Sequence, residues 1–246
     1  MTPAIILINP QMGENIGAVA RAMMNFGLRE LRIVAPRDGW PNTAAEAMAA
    51  HGVEIIHNAK LYDTTRDAVA DLQYIYASTA RDRRLRKPQI TPREAMEEAC
   101  QRHHAQQKTG IMFGPERSGL NNDDIALAHA IVTVPTDPDH ASLNLAQCAV
   151  ILGYEWFSAQ SEKTLVPNAE LDADLASQEE IHGFLDQLET ALDATYYFKL
   201  DAKKQRMWRN LKTTFLRTEL NSQEIHSLRG MVSALEKGRK KPENSP

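Results

Sequence analysis

Short apolar runs alternate with helix-like segments over the first 158 residues of the chain. The first run, 4–8, is unbroken and ends at Asn9-Pro10, and the amphipathic segment 14–26 that follows it stops at Gly27. Unbroken apolar runs are typical of strands buried on both faces of a parallel sheet. Because strands alternate with helices, the pattern predicts an α/β domain whose parallel sheet carries helices on both faces.

The same alternation continues beyond the first helix and predicts the remaining elements. Further strands are predicted at 31–34, 53–56, 74–77, 111–113 and 131–134. Further helices are predicted at 44–51, 63–72, 92–105 and 142–157 in this domain, and at 177–198 and 221–236 beyond it. A polar, proline-containing stretch predicts a linker. We therefore divide the chain into an α/β domain over 1–158, a linker over 159–174 and a small helical C-terminal domain over 175–240.

Charge is distributed unevenly along this chain of 246 residues, whose formal net charge is −4. Residues 160–195 carry 1 basic and 9 acidic side chains, whereas residues 196–241 carry 12 basic and 4 acidic ones. A local cationic excess of this kind can bind a polyanion although the chain as a whole is acidic.

The cysteines and the N-terminal residues indicate the cellular compartment of the protein. Two cysteines, Cys100 and Cys148, cannot make a disulfide framework, which favours a reducing compartment. The apolar run at the N-terminus is too short for a signal peptide or a membrane span. We expect a cytoplasmic protein that is not bound to a membrane.

Four loops that follow predicted strands are rich in Gly, Pro, Asn and Ser. They lie at 9–21, 78–89, 114–120 and 135–147. Ligands of open parallel sheets bind beyond the carboxyl ends of the strands, so we expect these loops to surround one site. Neither GxGxxG nor GxxxxGK[ST] occurs in them, which removes the main support for a dinucleotide or P-loop site.

The loop GPERSGL at 114–120 has specific backbone requirements. Gly114 permits an unusual backbone angle or a close approach to a ligand, and Asn121 or Asn122 is placed to cap the next helix. Glu116 and Arg117 are expected on opposite sides of this turn, and taken alone the segment is more typical of a tight surface turn with an ion pair. Taken alone, Ser142 at the start of the last predicted helix of the domain is typical of an N-cap.

Three motifs occurring together change this interpretation. They are Asn15-x-Gly17-x-x-x-Arg21, the stretch FGPERSGL at 113–120 and the stretch SLNLA at 142–146. In kind and in order they resemble the signature motifs of the SPOUT superfamily of RNA methyltransferases, in its ribose 2′-O-methylating branch. The resemblance covers about residues 1–158 and implies a C-terminal trefoil knot in that domain, which periodicity alone does not indicate.

The resemblance also implies a substrate, a cofactor and an assembly. The length, the linker and the helical C-terminal domain are closest to bacterial enzymes that methylate cytidine or uridine at position 32 of the tRNA anticodon loop. The methyl donor would be S-adenosylmethionine, the product S-adenosylhomocysteine, and the active form a homodimer whose site spans the interface. The cofactor-binding positions carried over from the family are Thr79, Ala80, Arg81, Gly114, Val134, Ala141, Ser142 and Leu143.

The same resemblance assigns the reaction to Asn15, Arg21, Glu116, Ser142 and Asn144. In the family the arginine has a part in activating the 2′-hydroxyl, as a base or as a clamp. Because a guanidinium stays protonated, we expect Arg21 to hold the adjacent phosphate and to stabilise the developing alkoxide. Glu116 is expected beside the positively charged methyl donor or on the substrate ribose.

Two basic segments, 81–87 and 199–217, are expected to contact RNA phosphates. The expected contacts are Arg83, Arg84, Arg86, Lys203, Lys204, Arg206, Arg209 and Lys212. Trp208 lies among them and is expected to pack in the core, the usual place for a lone tryptophan. The apolar face of the first helix, with Val19, Met23 and Phe26, fits a core and a subunit interface equally well.

No metal site is expected, because the eight histidines show no ligand spacing with acids or cysteines. Two other classes of protein stay open at this point. One is a non-catalytic RNA-binding protein with the same fold, against which the intact motif residues argue. The other is an α/β enzyme for a different adenosyl or nucleotide ligand, against which the missing glycine fingerprints argue.

Overall fold

The computed structural model describes residues 2–80, 87–161, 175–195, 197–198 and 201–236. Its strands are β1 Ala4–Ile8, β2 Leu31–Val34, β3 Lys60–Tyr62, β4 Tyr74–Ser78, β5 Gln89–Ile90, β6 Thr109–Phe113 and β7 Ala130–Val132. Its helices are α1 Gly13–Asn25, α2 Thr43–Ala49, α3 Val53–His57, α4 Thr65–Val69, α5 Pro92–His104, α6 Asn122–Ala126, α7 Leu145–Ser161, α8 Gln178–Ala194, α9 Asp201–Leu216 and α10 Ser222–Glu236. Among these helices, none is long and apolar enough to cross a membrane.

All seven strands form one parallel sheet in the order β3-β2-β1-β6-β4-β7-β5. The strand β1 lies inside the sheet, where Ile5 pairs with Leu31 on one side and with Ile111 on the other. Every side chain of β1 is buried, as its unbroken apolar run indicates. The prediction of a parallel α/β domain is confirmed.

Helices cover both faces of the sheet because alternate residues of each strand point to opposite sides. On one face Ile5 and Leu7 pack with α1, α2, α3, α5 and α7. On the other face Ile6 and Ile8 pack with α4 and α6. The C-terminal helices form a third core around Phe184 and Trp208. The prediction that Trp208 packs inside is confirmed, since its side chain is 6% exposed.

The strand predicted at 53–56 is wrong, because that stretch forms the short helix α3. Ile55 and Ile56 are buried against the same core as α1, so the apolar run covers a helix face. The sheet takes its edge strand from β3 instead, where Lys60 and Leu61 are exposed. An exposed edge strand needs no apolar run, and therefore the sequence pattern does not mark it.

The C-terminal helices dock on the sheet domain through backbone and side-chain contacts. The backbone N–H of Gln178, in the first turn of α8, donates to the carbonyl oxygen of Leu72 across 2.8 Å. The buried guanidinium of Arg102 reaches Glu219 across 2.9 Å, just beyond α9. The division of the chain at residues 158 and 174 stays a prediction, and most of the expected linker, 162–174, lies outside the described residues.

Candidate functional site

A cavity of about 280 Å³ opens at the carboxyl ends of β4, β6 and β7. Its wall combines three of the four loops that follow predicted strands. Seven of the predicted cofactor positions line it, namely Thr79, Ala80, Gly114, Val134, Ala141, Ser142 and Leu143. The eighth, Arg81, lies outside the described residues, as do the predicted RNA contacts Arg83, Arg84 and Arg86. The described positions are thus gathered in one place from stretches far apart in the sequence.

The loop after β6 closes on itself at Gly114. A Cβ atom at this position would lie 2.1 Å from the backbone nitrogen of Leu120, so only glycine fits. The turn is completed by the N–H of Gly119, which donates to the carbonyl oxygen of Pro115 across 2.8 Å, with a φ of +64° at Gly119. The close approach at Gly114 is therefore between two parts of the loop's own backbone, and the expected close approach to a ligand stays a prediction.

Glu116 accepts hydrogen bonds from the loop after β1. The Asn15 amide nitrogen donates to Oε1 across 2.8 Å, and the backbone N–H of Gln11 donates to Oε2 across 2.9 Å. Both carboxylate oxygens are therefore held by residues more than 100 positions earlier in the chain. The carboxylate is thus held from outside its own turn, which the interpretation as a simple surface turn does not predict.

The start of α7 brings the third motif to the same point. The Asn144 amide nitrogen donates to Asn15 Oδ1 across 3.1 Å. Asn144 Oδ1 accepts from the N–H of Ala146 across 2.8 Å, and its carbonyl accepts from the N–H of Cys148. Asn144 is therefore the residue that caps α7. The alternative of Ser142 as N-cap is wrong, and Ser142 lies exposed on the cavity wall.

Arg21 lies apart from this junction. Its side chain is exposed on α1, and it does not line the cavity within the described part of the chain. The backbone around Arg21 packs closely on Gly52, where a Cβ atom would meet the Arg21 nitrogen at 2.9 Å. Of the five predicted catalytic residues, the structure thus joins Asn15, Glu116 and Asn144 by hydrogen bonds and places Ser142 beside them on the cavity wall.

Sequence reasoning did not identify Cys148 and Leu145 as cavity residues. Both line the cavity from the first turn of α7. Burial raises the pKa of the Cys148 thiol, which is half-buried. Leu145 and Cys148 follow Asn144 by one and four positions, so both lie in the first turn of α7 next to the predicted cofactor loop. This closeness in sequence was the signal that could have identified them.

Lys87 differs from its basic neighbours in the sequence. It is 7% exposed, and its ammonium donates to the carbonyl oxygens of Ala126 and Ala128 at the end of α6. Burial lowers the pKa of Lys87 to about 7. Lys87 therefore stabilises the end of a helix and is unavailable to RNA phosphates, although its segment as a whole was expected to bind them.

The five cations expected to contact RNA on α9 fall into two groups. Lys204 pairs with Asp193, and Arg209 pairs with Asp123 across 2.7 Å. Lys212 stands over the Trp208 ring at 5.6 Å. Lys203 and Arg206 are exposed and project from the helix. Arg217, a further exposed cation at the end of the basic segment, was not among the predicted contacts.

Val19 and Met23 belong to the core of the single chain, with exposures of 0% and 1%. For these two residues the core interpretation is confirmed. Phe26 is half-buried and meets Tyr154 of α7 edge to face at 6.4 Å between ring centroids. Among the described residues, no cluster of histidine, cysteine, aspartate and glutamate has the arrangement of a metal site.

Residues 3–154 match the SpoU rRNA methylase family, and residues 179–245 match the C-terminal domain of the tRNA methyltransferase TrmJ. The chain belongs to the SpoU methylase family. The fold, with a parallel sheet and a helical C-terminal region, and the resemblance to SPOUT methyltransferases are thereby confirmed, while the knot stays a prediction.

Relatives similar over nearly their whole length agree with this assignment. The Klebsiella pneumoniae tRNA (cytidine/uridine-2′-O-)-methyltransferase TrmJ is 33% identical, with 96% of this chain and 97% of that protein covered. A Pseudomonas aeruginosa relative, 31% identical over 95% of this chain and 93% of its own length, is named tRNA (cytidine/uridine/adenosine-2′-O-)-methyltransferase TrmJ. The crystal structure of TrmJ from Z. mobilis ZM4 is 43% identical, with a TM-score of 0.87 and coverage of 96% and 100%.

Proposed function

We propose that the chain transfers a methyl group from S-adenosylmethionine to the ribose 2′-hydroxyl of cytidine or uridine 32 in tRNA. The observation that carries this proposal is the hydrogen-bonded junction beside the cavity, because it unites Asn15, Glu116 and Asn144 from three separate motifs. The names of the relatives support tRNA as substrate and the ribose oxygen as the methylated atom. They differ on adenosine, so the range of bases needs measurement on this chain.

The cavity fits an adenosyl cofactor in size and in chemistry. Its volume of about 280 Å³ is close to the lower end of the range of about 300–1,000 Å³ for small-molecule sites. Val134 and Leu143 supply apolar, half-buried surface for a purine, and the loops at Thr79 and Gly114 bring backbone groups to its edge. When bound, the cofactor supplies an electrophilic methyl carbon on a sulfonium. The carboxylate of Glu116 on the same wall favours a positive charge there.

The side chains around the junction suit the other half of the reaction. Asn15 and Asn144 present amide groups that bind and orient a ribose, and Ser142 presents a hydroxyl from the cavity wall. Fixing a hydroxyl in line with its target is a large part of the rate enhancement in such transfers. Arg21 keeps its charge and serves as a clamp on the adjacent phosphate, where it also stabilises the developing alkoxide.

A homodimer explains why Arg21 stands apart from the cavity of its own chain. Along α7, Val150, Tyr154 and Phe157 form a stripe with exposures of 43%, 56% and 52%. Phe26 of α1 packs against Tyr154, so α1 and α7 share this apolar face. We place the subunit interface here, because exposed apolar stripes of this kind are typical of protein contacts. Arg21 on α1 then lies near the interface and serves the cavity of the partner chain.

We assign the binding of the RNA backbone to exposed cations on α9. Lys203 and Arg206 are exposed on this helix, and Arg217 is exposed directly after its last residue. Lys204, Arg209 and Lys212 contribute less to RNA binding, because each is already close to an acidic or aromatic side chain. Cations free to move to phosphates contribute most to binding and to its salt dependence.

Calorimetric titration with S-adenosylmethionine, followed by transfer of labelled methyl to total tRNA, tests the proposal. Binding of the cofactor together with methylation of tRNA is the expected result. A chain that binds tRNA and takes up no cofactor would be a non-catalytic RNA-binding protein. A chain that binds a different nucleotide and leaves tRNA unmethylated would be another kind of α/β enzyme.

A further inference from the structure

The hydrogen bonds beside the cavity form one unbroken series through four links. Glu116 Oε2 accepts from the backbone N–H of Gln11 across 2.9 Å, and Oε1 accepts from Asn15 Nδ2 across 2.8 Å. Asn15 Oδ1 accepts from Asn144 Nδ2 across 3.1 Å. Asn144 Oδ1 accepts from the backbone N–H of Ala146 across 2.8 Å. We call these residues the amide relay.

The direction of every bond in the amide relay is determined by its two ends. A carboxylate only accepts hydrogen bonds, so Asn15 has to turn its NH₂ group toward Glu116. The Asn15 oxygen then faces Asn144, which has to donate a hydrogen bond from its own NH₂ group. The Asn144 oxygen is left for the N–H of Ala146, which as a backbone donor requires an acceptor. Both ends demand the same orientation of the two amides.

We propose that Glu116 is a positioning residue that sets the direction of the amide relay, and thereby the donors that Asn15 and Asn144 offer to the substrate. Each side-chain NH₂ group has two hydrogens, of which the relay uses one. The second hydrogen of each group is available to an oxygen of the ribose. This inference rests on the proposed function, and it gives Glu116 a role through its neighbours in addition to its charge.

Replacing the carboxylate by an amide removes the constraint at one end. In Glu116→Gln the new NH₂ group faces either the NH₂ group of Asn15 or the N–H of Gln11, two donors in contact. If Asn15 and Asn144 turn over to receive it, the conflict moves to the N–H of Ala146. One hydrogen bond is lost in every arrangement. This destabilises the junction, because a donor without a partner lowers the stability by more than one hydrogen bond raises it.

A second substitution allows the relay to run in the opposite direction. In Asn144→Asp the new carboxylate accepts from Ala146 and from a turned Asn15, but Asn15 then directs its oxygen at Glu116. Combined with Glu116→Gln this conflict disappears, since the amide at 116 donates to Asn15 and still accepts from Gln11. The double variant has the same formal charge as the natural chain and the same number of bonds, with the Asn15 amide reversed.

The experiment measures methyl transfer to an unmodified tRNA transcript with cytidine at position 32, together with S-adenosylmethionine affinity and melting temperature. Each single variant is expected to have a lower melting temperature and a kcat reduced by about a hundredfold, which is the effect of misplacing one donor in an active site. The double variant is expected to recover the melting temperature of the natural chain, whereas its affinity for S-adenosylmethionine is expected to fall because the carboxylate at position 116 is absent. Its kcat is expected to stay low, because residue 144 no longer offers a donor to the ribose.

A control variant, Glu94→Gln, removes a carboxylate that accepts from the backbone N–H of Thr91 across 2.7 Å at the start of α5. It is expected to keep the natural kcat. The inference is overturned if Glu116→Gln also keeps the natural kcat, if the double variant regains it, or if the double variant melts below both single variants. Failure of the natural chain to methylate the transcript refutes the proposed function instead, and the melting temperatures still report on the relay.

Discussion

The side-chain amide of Asn144 donates to the side-chain oxygen of Asn15 across 3.1 Å, although 129 positions separate them in the sequence. The bond joins the first turn of α1 to the start of α7, and Glu116 adds the loop after β6. Three segments that follow strands of the parallel sheet therefore meet at one junction beside the cavity, as expected at the carboxyl edge of such a sheet. Catalysis, RNA binding and assembly are assigned to different parts of the chain. Substitutions in these parts should therefore affect the three properties separately.

Removing the guanidinium of Arg21 should slow methyl transfer without affecting the cofactor. In Arg21→Ala we expect kcat to fall by about a hundredfold or more, because the charge that stabilises the alkoxide is absent. Calorimetry should give nearly the natural affinity for S-adenosylmethionine, since the proposed partners of Arg21 are the phosphate and the 2′-oxygen of the RNA and not the cofactor. Arg29→Ala, which removes an exposed arginine beyond α1, serves as control. Loss of cofactor binding in Arg21→Ala would refute the clamp.

Charge reversal on α9 should weaken tRNA binding in a salt-dependent manner. For the double variant Lys203→Glu and Arg206→Glu, the slope of log affinity against log salt should fall by about two, one for each phosphate that is no longer neutralised. The same number of charges is reversed in the control Arg29→Glu and Arg93→Glu, away from α9. A slope equal to that of the natural chain would remove α9 from the RNA footprint.

A charge placed in the apolar stripe of α7 should separate the subunits. Tyr154 is 56% exposed and contacts Phe26, so Tyr154→Glu would bury an unpaired carboxylate in the proposed interface. Sedimentation should show a monomer with little methyl transfer. Met231→Glu, at a residue 60% exposed on α10, is the matched control and should stay dimeric. A fully active Tyr154→Glu dimer would place the interface elsewhere.

Acid should destabilise the chain through His182 on α8. Burial, followed by the charge of Arg66, lowers the pKa of His182 to about 4 from an ordinary value of 6.5. Because the unfolded chain binds the proton more tightly, stability is full above pH 6.5 and falls as the pH drops toward 4.

The histidine effect is measured by urea unfolding at pH 7 and pH 5. Between these values His182 should account for a loss of about 2 kcal/mol. In His182→Leu the difference in stability between the two pH values should be smaller by this amount, whatever the absolute stability of the variant. His226→Leu, at an exposed histidine of α10, is the control. An unchanged pH dependence in His182→Leu would show that another group carries the proton.

Much of the fold was predictable because buried parallel strands leave unbroken apolar runs, as at 4–8 and 74–77. The same rule failed at Val53–His57, where one turn of partly buried helix has the composition of a strand. It also missed Lys60–Tyr62 and Gln89–Ile90, whose exposed and half-buried residues give no apolar signal. Short elements at a sheet edge are determined by their neighbours rather than by their own sequence.

The positions in the cavity were predictable from motifs, whereas the bonds between them were not. The motifs include Asn15, Glu116 and Asn144, but no sequence rule states that they bond to each other. Lys87 shows the limit of charge patterns, because it belongs to a basic segment expected to contact RNA, whereas the fold buries it against two carbonyl groups. Charge counts along the sequence do not distinguish a solvated ammonium from one enclosed by a helix end.

The central claim is best tested by mapping the methyl group on tRNA. Transcripts with cytidine or uridine at position 32 would be incubated with the purified chain and S-adenosylmethionine, digested with nucleases and analysed by mass spectrometry. The account predicts one added methyl on the ribose of nucleotide 32, absent when that nucleotide carries a 2′-deoxyribose. A methyl group on a base, or no methyl group on any nucleotide, would contradict it.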